Sequence, residues 1–212
     1  MVEYKRYHVF AEDDQRISKE AEFDLYDTAR QLPFPDLKGK RVLDVGACDG
    51  WWAIEFARRG ADEVVAIDNS DNPYFDSYIE KSGCMNIKRE ILDVYKLSKR
   101  KVGTFDFCYC GAVLCHLDNP FKALSNIHSV MKTEGIFMLS TPVCDGILGD
   151  IKVPVATIND IQEMTFLWPN MGGGWHMLRS AGFKSLVASG TIVNKNIQTG
   201  YEYLMGVWVV RA

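Results

Sequence analysis

The sequence predicts an α/β fold of the doubly wound kind, in which a largely parallel sheet is covered by helices on both faces. Short apolar runs alternate along the chain with stretches whose apolar residues recur at helical spacing. The first such run leads through a glycine-bearing turn, residues 46–50, directly into a helical stretch. A second apolar run ends in Asp68, eighteen residues past Gly50. Strand, turn, helix and strand in this order are typical of folds that bind nucleotide-bearing ligands.

Length and composition suit one such domain over residues 1–212. Hydrophobic residues make up 47% of the chain, which allows a sizeable core. The net charge of −4 gives no general attraction to nucleic acid or to anionic membranes. No apolar stretch approaches the ~18 residues of a membrane span, and the N-terminus lacks the apolar segment of a signal peptide. We therefore expect a cytoplasmic protein that does not associate with membranes.

The cysteines do not predict a metal site. Six are present, and none of them form a Cys-x-x-Cys pair. Cys108 and Cys110 are two residues apart on a predicted strand, so both should face the same side of it. Buried thiols that fill small gaps in the core, without disulfides, are expected instead.

The first half of the chain is predicted to contain one N-terminal helix and then alternating strands and helices. Apolar residues spaced four, four, four and three apart predict the helix over 12–32, which Pro33 ends. Ahead of it, four side chains are candidates for a lid: Tyr4, Tyr7, His8 and Phe10. The elements that follow are strand 41–45, helix 51–59, strand 64–67, helix 75–82 and strand 86–91.

The second half continues the alternation around one irregular segment. Its predicted elements are strand 105–110, a helix over 121–131, strand 136–141, helix 175–181 and strands 183–193 and 202–210. Gly135 is expected to cap the helix over 121–131. Residues 142–174 are rich in proline and glycine, and so long an irregular segment inside a compact domain is usually functional.

The glycine turn and Asp68 together predict a nucleoside cofactor. The turn would present backbone N–H groups at a helix N-terminus, and the carboxylate can accept two ribose hydroxyls. Dinucleotides need a G-x-G-x-x-G turn, but Ala47 and Cys48 stand where its middle glycine would be. Asp44 and Asp49 flank the turn and would repel a diphosphate, whereas they suit a ligand that carries an amino group and a sulfonium.

The turn resembles motif I of the class I S-adenosylmethionine (SAM) methyltransferases, and Asp68 is similar to their ribose-binding acidic residue. The resemblance spans about residues 40–210. It implies SAM as the cofactor and a Rossmann-like, seven-stranded mixed sheet in the order 3-2-1-4-5-7-6, with strand seven antiparallel. Asp93 matches the residue that binds the adenine amino group, with a solvated turn aspartate as the alternative reading. A doubly wound domain with an empty glycine turn is the alternative to the whole assignment.

The resemblance also implies which residues contact the cofactor, and these gather at the ends of the first four strands. They are Asp44, Gly46, Ala47, Cys48, Asp49, Gly50, Asp68, Asn69, Asp93, Val94, Cys110 and Gly111. No metal ligands are implied.

The acceptor side is expected to involve the segment after strand four and the irregular segment. His116 is the candidate catalytic residue, because a histidine there can take a proton from a hydroxyl or amine; a structural or positioning role is the alternative. The substrate-binding candidates are Leu114, His116, Trp168 and Asn170. By the resemblance, residues 142–174 form a substrate-binding insertion and residues 1–37 a helical cap, although plain packing on the sheet is equally open for the cap.

A narrower resemblance concerns the segment from Gly111 to Pro120. It is similar to the G-V-L-Y-H-x-x-x-P segment of a branch that includes tRNA wobble-uridine carboxymethyl-transferring enzymes. Cys115 replaces the usual tyrosine, and the sequence shows no counterpart of the long N-terminal extension of those enzymes. The basic residues cluster only at 96–101, which suits a solvated face or a phosphate-bearing substrate.

These observations predict SAM-dependent methylation of a small molecule, at oxygen or nitrogen. Nucleic acid is an unlikely partner for so acidic a chain. Two alternatives stay open: a tRNA-modifying methyltransferase related to the wobble-uridine enzymes, and a non-catalytic partner protein that uses the same fold.

Overall fold

A computed structural model describes residues 23–145, 153–161 and 164–212. Its strands are β1 Arg41–Val45, β2 Glu63–Asp68, β3 Ile87–Ile91, β4 Phe105–Gly111, β5 Met131–Pro142, β6 Ala156–Ile161, β7 Met164–Pro169, β8 Ser185–Lys195 and β9 Glu202–Arg211. Its helices are α1 Leu25–Gln31, α2 Trp51–Arg58, α3 Phe75–Ser82, α4 Lys99–Val102, α5 Pro120–Ser129 and α6 Met171–Ser180. Short 3-10 helices cover Val94–Lys96 and Leu114–His116.

Seven of the strands form one mixed sheet in the order β3-β2-β1-β4-β5-β9-β8. Strands β8 and β9 are the sixth and seventh strands of the predicted sheet, so the predicted order is confirmed. Strand β9 runs antiparallel to both β5 and β8, while the first five strands are parallel. The chain builds outward from β1 in one direction and then from β4 in the other. The carboxyl ends of β1 and β4 therefore border the crevice in which open α/β sheets bind ligands.

Two apolar clusters cover the two faces of the sheet. Neighbouring residues of β1 and of β4 belong to different clusters: Leu43 and Cys108 lie in one, and Val42 and Phe107 in the other. Helices α5 and α6 pack on the first face and α2 on the second. Cys110 lies in the same cluster as Cys108, so the prediction that both thiols face one side of β4 is confirmed.

The N-terminal helix is shorter within the described residues than the sequence predicts. Asp24 accepts a hydrogen bond from the Asp27 N–H and caps α1, which begins only at Leu25. Phe23 instead forms an isolated antiparallel bridge with Asn196. The prediction of one continuous helix over 12–32 is therefore wrong at residues 23 and 24. Its earlier part and the four lid candidates before it lie outside the described residues.

Residues 142–174 are more regular than predicted. Strands β6 and β7 form an antiparallel hairpin, and α6 begins at Met171 rather than at residue 175. Asn170 caps this helix. The glycines at its start allow close packing, because a Cβ on Gly173 would lie 2.4 Å from the Val155 carbonyl oxygen and one on Gly174 would lie 2.3 Å from the Trp208 ring. Residues 146–152 and 162–163 of the predicted insertion lie outside the described part of the chain.

Two further boundaries differ from prediction. Helix α5 ends at Ser129, and Gly135 lies inside β5 beside a bulge rather than capping the helix. A Cβ on Gly135 would lie 3.1 Å from the Phe105 carbonyl oxygen, so this glycine permits the close approach of β4. Strand β8 lies two residues further along the chain than predicted.

Among the described residues, no helix has the length and apolarity to cross a membrane.

Candidate functional site

The glycine turn at the end of β1 is anchored to the end of β2. The N–H groups of Gly46 and Ala47 both donate to the Ile67 carbonyl, at 2.9 and 3.0 Å. Gly46, Cys48 and Gly50 have φ angles of 77°, 49° and 91°, in the left-handed region that glycine tolerates best. Helix α2 begins directly after this turn. The predicted strand, turn and helix are thus all present, and the turn is fixed by backbone hydrogen bonds.

The two glycines of the turn are also held by side chains that sequence reasoning missed. A Cβ on Gly46 would lie 2.1 Å from Cγ2 of Val113, and one on Gly50 would lie 2.9 Å from the ring of Phe75. These contacts join segments that are far apart in the sequence, and no spacing pattern signals them. The turn is therefore specified by its packing neighbours as well as by its backbone angles.

Asp68 stands at the tip of β2, beside the turn, as predicted. Its Oδ2 accepts a hydrogen bond from the Cys48 N–H at 3.0 Å, and its Oδ1 accepts from the N–H and hydroxyl of Ser70 at 2.9 and 2.7 Å. The carboxylate is partly exposed. It therefore connects the turn with the loop after β2, while one side of it faces solvent. Asn69, the next predicted residue, is exposed.

Asp44, near the end of β1, has an unusual environment. Its side chain is only 1% exposed, and Oδ2 has no hydrogen-bond partner within the described structure. Burial, with a smaller contribution from the nearby carboxylates of Asp68 and Asp49, raises the pKa of the Asp44 carboxyl to about 8. Asp49 is itself fully buried and accepts a 3.4 Å hydrogen bond from the Trp51 N–H. This group of carboxylates can accept hydrogen bonds from a cationic ligand.

Asp93 and Val94 lie in a loop that is tied to α5. Asp93 accepts a hydrogen bond from the Tyr95 N–H at 2.8 Å and so caps the short 3-10 helix. The side-chain amide of Asn126 donates to the Val94 carbonyl at 3.0 Å. The Tyr95 hydroxyl accepts from the Asn119 N–H at 2.8 Å. The predicted adenine-side loop is therefore connected to the segment that follows β4.

The remaining predicted cofactor residues lie at the end of β4. The Cys110 side chain is buried in the core, so only its backbone faces the crevice edge. At Gly111 a Cβ would lie 2.5 Å from the Tyr109 hydroxyl. That hydroxyl shares a 2.8 Å hydrogen bond with Ser140 Oγ of β5. Gly111 is thus required by the packing of a buried tyrosine.

His116 lies on the 3-10 helix that follows β4, with its side chain exposed. Partial desolvation by the surrounding protein lowers the pKa of its imidazole below the usual value. The ring is therefore neutral near pH 7 and able to accept a proton. Leu114 and Cys115 in the same short helix are buried, and Leu114 belongs to the main core cluster.

Trp168 lies on β7 and packs against this 3-10 helix. It forms a small cluster with Cys115 and Cys144, and its ring stacks on Tyr203 with centroids 6.2 Å apart. The side chain is 5% exposed, yet its indole Nε1 has no partner in the described regions. The hydroxyl Oγ1 of Thr141, at the end of β5, is also buried without a partner in those regions. Two hydrogen-bonding groups beside the His116 segment are therefore left without a partner among the residues that the structure describes.

Asn170 has a structural role in this arrangement. Its Oδ1 accepts from the N–H groups of Gly173 and Val155, at 2.7 and 3.2 Å, and its Nδ2 donates to the Val153 carbonyl at 2.9 Å. The side chain thereby caps α6 and fastens the chain that enters β6. Both ends of the amide are engaged, so its predicted contact with a substrate would compete with these bonds. The nearby His176 is exposed on α6.

Comparisons with known proteins agree with this geometry. A family model described as a methyltransferase domain matches residues 18–204. A tRNA U34 carboxymethyltransferase of Azotobacter vinelandii is 28% identical over 159 residues, which cover 73% of this chain and 48% of that protein. A ubiquinone biosynthesis O-methyltransferase of Acinetobacter baylyi is 32% identical over 107 residues, 50% of this chain and 44% of that protein. The chain thus spans about half the length of the curated relatives it matches.

Solved structures share the fold. One is the 1,6-didemethyltoxoflavin-N1-methyltransferase of Burkholderia thailandensis, crystallised with 1,6-didemethyltoxoflavin and S-adenosylhomocysteine. It superposes with a TM-score of 0.63 at 21% sequence identity, over 82% of this chain and 72% of that one.

Proposed function

The chain belongs to the methyltransferase domain family, and we propose that it transfers a methyl group from S-adenosylmethionine to a small-molecule acceptor, at oxygen or nitrogen. The family match covers residues 18–204 and so includes the glycine turn, Asp68, Asp93 and the segment after β4. The observation that supports the proposal most is the buried carboxylate oxygen of Asp44, which has no partner in the described structure and lies beside this turn.

The residues of the crevice fit this cofactor. Asp68 would accept the ribose hydroxyls, and Asp93 would accept the adenine amino group. The unsatisfied Oδ2 of Asp44 would be satisfied by a cationic amino group or by a water that such a group orders. Asp49, Asp68 and Asp93 place negative charge where a cationic, donor-rich ligand is proposed to bind and where a diphosphate would be repelled. Asp44, with a pKa of about 8, adds to that charge only as the pH rises. When bound, the cofactor supplies a reactive methyl group on a positively charged sulfur.

The protein's own contribution is alignment and proton removal. Holding the acceptor atom in line with the methyl group can contribute ~7–11 kcal/mol to lowering the barrier, without a dedicated catalytic group. His116 can accept the proton of an acceptor hydroxyl or amine, because its lowered pKa keeps the imidazole neutral near pH 7. Trp168 Nε1 and Thr141 Oγ1, which have no partner among the described residues, can donate to an oxygen of the acceptor. These two donors favour a polar small molecule as the acceptor.

A tRNA acceptor is the second candidate, because the relative from Azotobacter vinelandii and others of similar identity are named tRNA U34 carboxymethyltransferases. A transferred carboxymethyl group would bring a carboxylate to the acceptor side. The segment from Val113 to Asn119 contains no lysine or arginine to pair with it, and Asp118 adds a negative charge. The net charge of −4 also disfavours a polyanionic partner. Both observations support plain SAM and a small acceptor.

Tritium transfer from methyl-labelled SAM separates these possibilities. The chain is incubated with a small-molecule extract and, separately, with total tRNA, and the Asp68→Ala variant serves as the negative control. We expect label to enter small molecules and to depend on Asp68. Label in tRNA, with a steep dependence on salt, would favour the second candidate. Cofactor binding without label in either pool would contradict methyl transfer to a small acceptor. It would favour either a non-catalytic binding partner or transfer of a carboxymethyl group, which methyl-labelled SAM does not supply.

A further inference from the structure

Arg89 lies in the middle of β3, the edge strand next to β2, yet its side chain is only 17% exposed. The guanidinium reaches the loop that follows β2. Nη2 donates to the Asn72 carbonyl at 2.9 Å and lies 2.8 Å from the Asp71 carboxylate, and Nη1 lies 3.4 Å from the Asp76 carboxylate. One arginine therefore holds three points of residues 71–76.

The same guanidinium stacks on an aromatic ring that contacts the glycine turn. It lies 4.8 Å from the centroid of Phe75, which is 2% exposed. The Phe75 ring lies so close to Gly50 that a Cβ on this glycine would be 2.9 Å from it. Arg89 thus presses Phe75 against the turn at the point where α2 begins.

A second set of contacts links Arg89 to the turn through Asn72. The Asn72 side chain is 3% exposed. Its Nδ2 donates to the Cys48 Sγ at 3.5 Å, and its Oδ1 accepts from the Tyr74 N–H at 2.9 Å. The Cys48 N–H in turn donates to Asp68. The hydrogen bond from the Arg89 guanidinium to the Asn72 carbonyl therefore fixes the loop beside the carboxylate that is proposed to bind ribose.

We propose that Arg89 is a positioning residue for the cofactor: it holds residues 69–76 against the glycine turn, so that Asp68 and the turn have their binding geometry before the cofactor arrives. This inference rests on the proposed function. A loop that is ordered in the free protein does not have to be ordered at the cost of binding energy. Arg89 acts through Asn72 and Phe75 and does not itself contact the cofactor.

The ion pairs contribute less to this role than the other contacts. Asp71 and Asp76 have side chains that are 68% and 81% exposed, and pairs with such exposed carboxylates are weak. The bond to the Asn72 carbonyl and the stacking on Phe75 involve buried partners. These two contacts explain why position 89 is an arginine rather than a lysine, because the planar guanidinium can stack and donate in several directions at once.

Calorimetric titration with S-adenosylhomocysteine tests the inference. Arg89→Met should raise the Kd by ~5- to 20-fold, because the loop must then be ordered on binding. Arg89→Lys keeps the charge but loses the stacking and the multiple bonds, so its Kd should lie closer to that of Arg89→Met than to the wild-type value. The double variant Asp71→Asn/Asp76→Asn should stay within ~3-fold of wild type.

Arg59→Met is the matched control. Arg59 also stacks on a phenylalanine, 4.7 Å from the centroid of Phe34, and pairs with a carboxylate, Glu55, at 2.8 Å. Its loss removes the same kinds of contact at the other end of α2, so we expect a similar change in unfolding temperature and an unchanged Kd. All titrations are made at a temperature at which every variant is fully folded.

The outcomes distinguish a failure of the proposed function from a failure of the positioning role of Arg89. Failure of the wild type to bind S-adenosylhomocysteine would overturn the proposed function itself. Binding by the wild type with equal affinity in Arg89→Met, or an equal loss in Arg59→Met, would overturn the positioning role. If Arg89→Met does not fold, hydrogen exchange of the ligand-free Arg89→Lys variant decides. Faster exchange at residues 69–76 than in wild type is expected, and unchanged exchange would contradict the inference.

Discussion

Asp44 carries a buried carboxyl group whose pKa makes the stability of the chain depend on pH. Burial raises that pKa to about 8 from an unfolded value of 3.8, so the folded state binds the proton more tightly. The contribution of this group is therefore fully present below about pH 4 and is lost progressively as the pH rises to about 8. The cause is the apolar surroundings of the carboxyl and the two neighbouring carboxylates.

Asp44→Asn should remove this dependence. We expect the wild type to lose unfolding free energy between pH 5 and pH 8, and the asparagine variant to lose clearly less, because an amide does not titrate. Urea unfolding of both proteins at several pH values gives the measurement. Subtracting the two curves cancels the other titrating groups. Parallel curves would show that Asp44 is ionised in the folded chain at all these pH values.

At position 46, the neighbouring Val113 side chain leaves room only for glycine. The φ of 77° at Gly46 and the contact with Val113 both oppose a Cβ. Gly46→Ala should cost ~2–5 kcal/mol, from strain and overpacking together. Gly60→Ala is the matched control: its φ is 89°, but the nearest atom would be 3.5 Å from the new Cβ, so ~1–2 kcal/mol is expected.

A double-mutant cycle separates the two causes. Combining Gly46→Ala with Val113→Ala should recover ~1 kcal/mol or more of the overpacking cost, as chemical denaturation would reveal. Strict additivity of the two substitutions would mean that Val113 does not press on the turn, and that backbone strain alone selects glycine.

At the scale of elements, the hairpin β6–β7 and helix α6 are joined by the side chain of Asn170. Asn170→Ala would remove an N-cap and two further hydrogen bonds, and should lower the free energy of unfolding by ~2–4 kcal/mol. Asn119 is the matched control, because it caps α5 with one exposed bond to the Lys122 N–H. Asn119→Ala should cost only ~1 kcal/mol in the same assay. Equal losses would show that Asn170 does no more than cap α6.

The sequence predicts the elements of the main sheet well because its inner strands, β1, β2, β4, β5 and β9, are largely buried and therefore stand out as apolar runs. The hairpin β6–β7 escapes prediction since it lies apart from the main sheet and is partly exposed, as the 76% exposure of Ile158 illustrates. The start of α1 at Leu25 is missed because helical spacing continues through Asp24, whose side chain caps α1 instead. In each case a local pattern is overruled by a tertiary contact or by a cap.

The candidate site is predictable only in part, for a similar reason. The glycine turn and Asp68 can be recognised by spacing along the chain. The contacts of Phe75, Val113 and Arg89 cannot, because each joins the site or its adjoining loop to a segment that is distant in the sequence. Such residues carry no motif, and only the folded chain reveals what they touch.

At the scale of the whole molecule, the order of the strands brings the two halves of the site together. The halves meet where β1 and β4 lie side by side: the turn and Asp68 belong to the first half of the sheet, and His116 to the segment after β4. Trp168 of the hairpin packs against the 3-10 helix that carries His116, on the proposed acceptor side. The proposed cofactor and acceptor would therefore be recognised by different parts of the chain, so acceptor choice can vary without changes in the turn.

Calorimetric titration of S-adenosylhomocysteine into the wild type and into Asp68→Ala tests the central claim most directly. The wild type should bind one equivalent with a micromolar or lower Kd, and the folded variant should bind ~10- to 150-fold more weakly, because charge-assisted bonds of ~1.5–3 kcal/mol are lost. Absence of binding to the wild type at high micromolar concentration, or an equal Kd in the variant, would contradict the assignment of this crevice to an adenosyl cofactor.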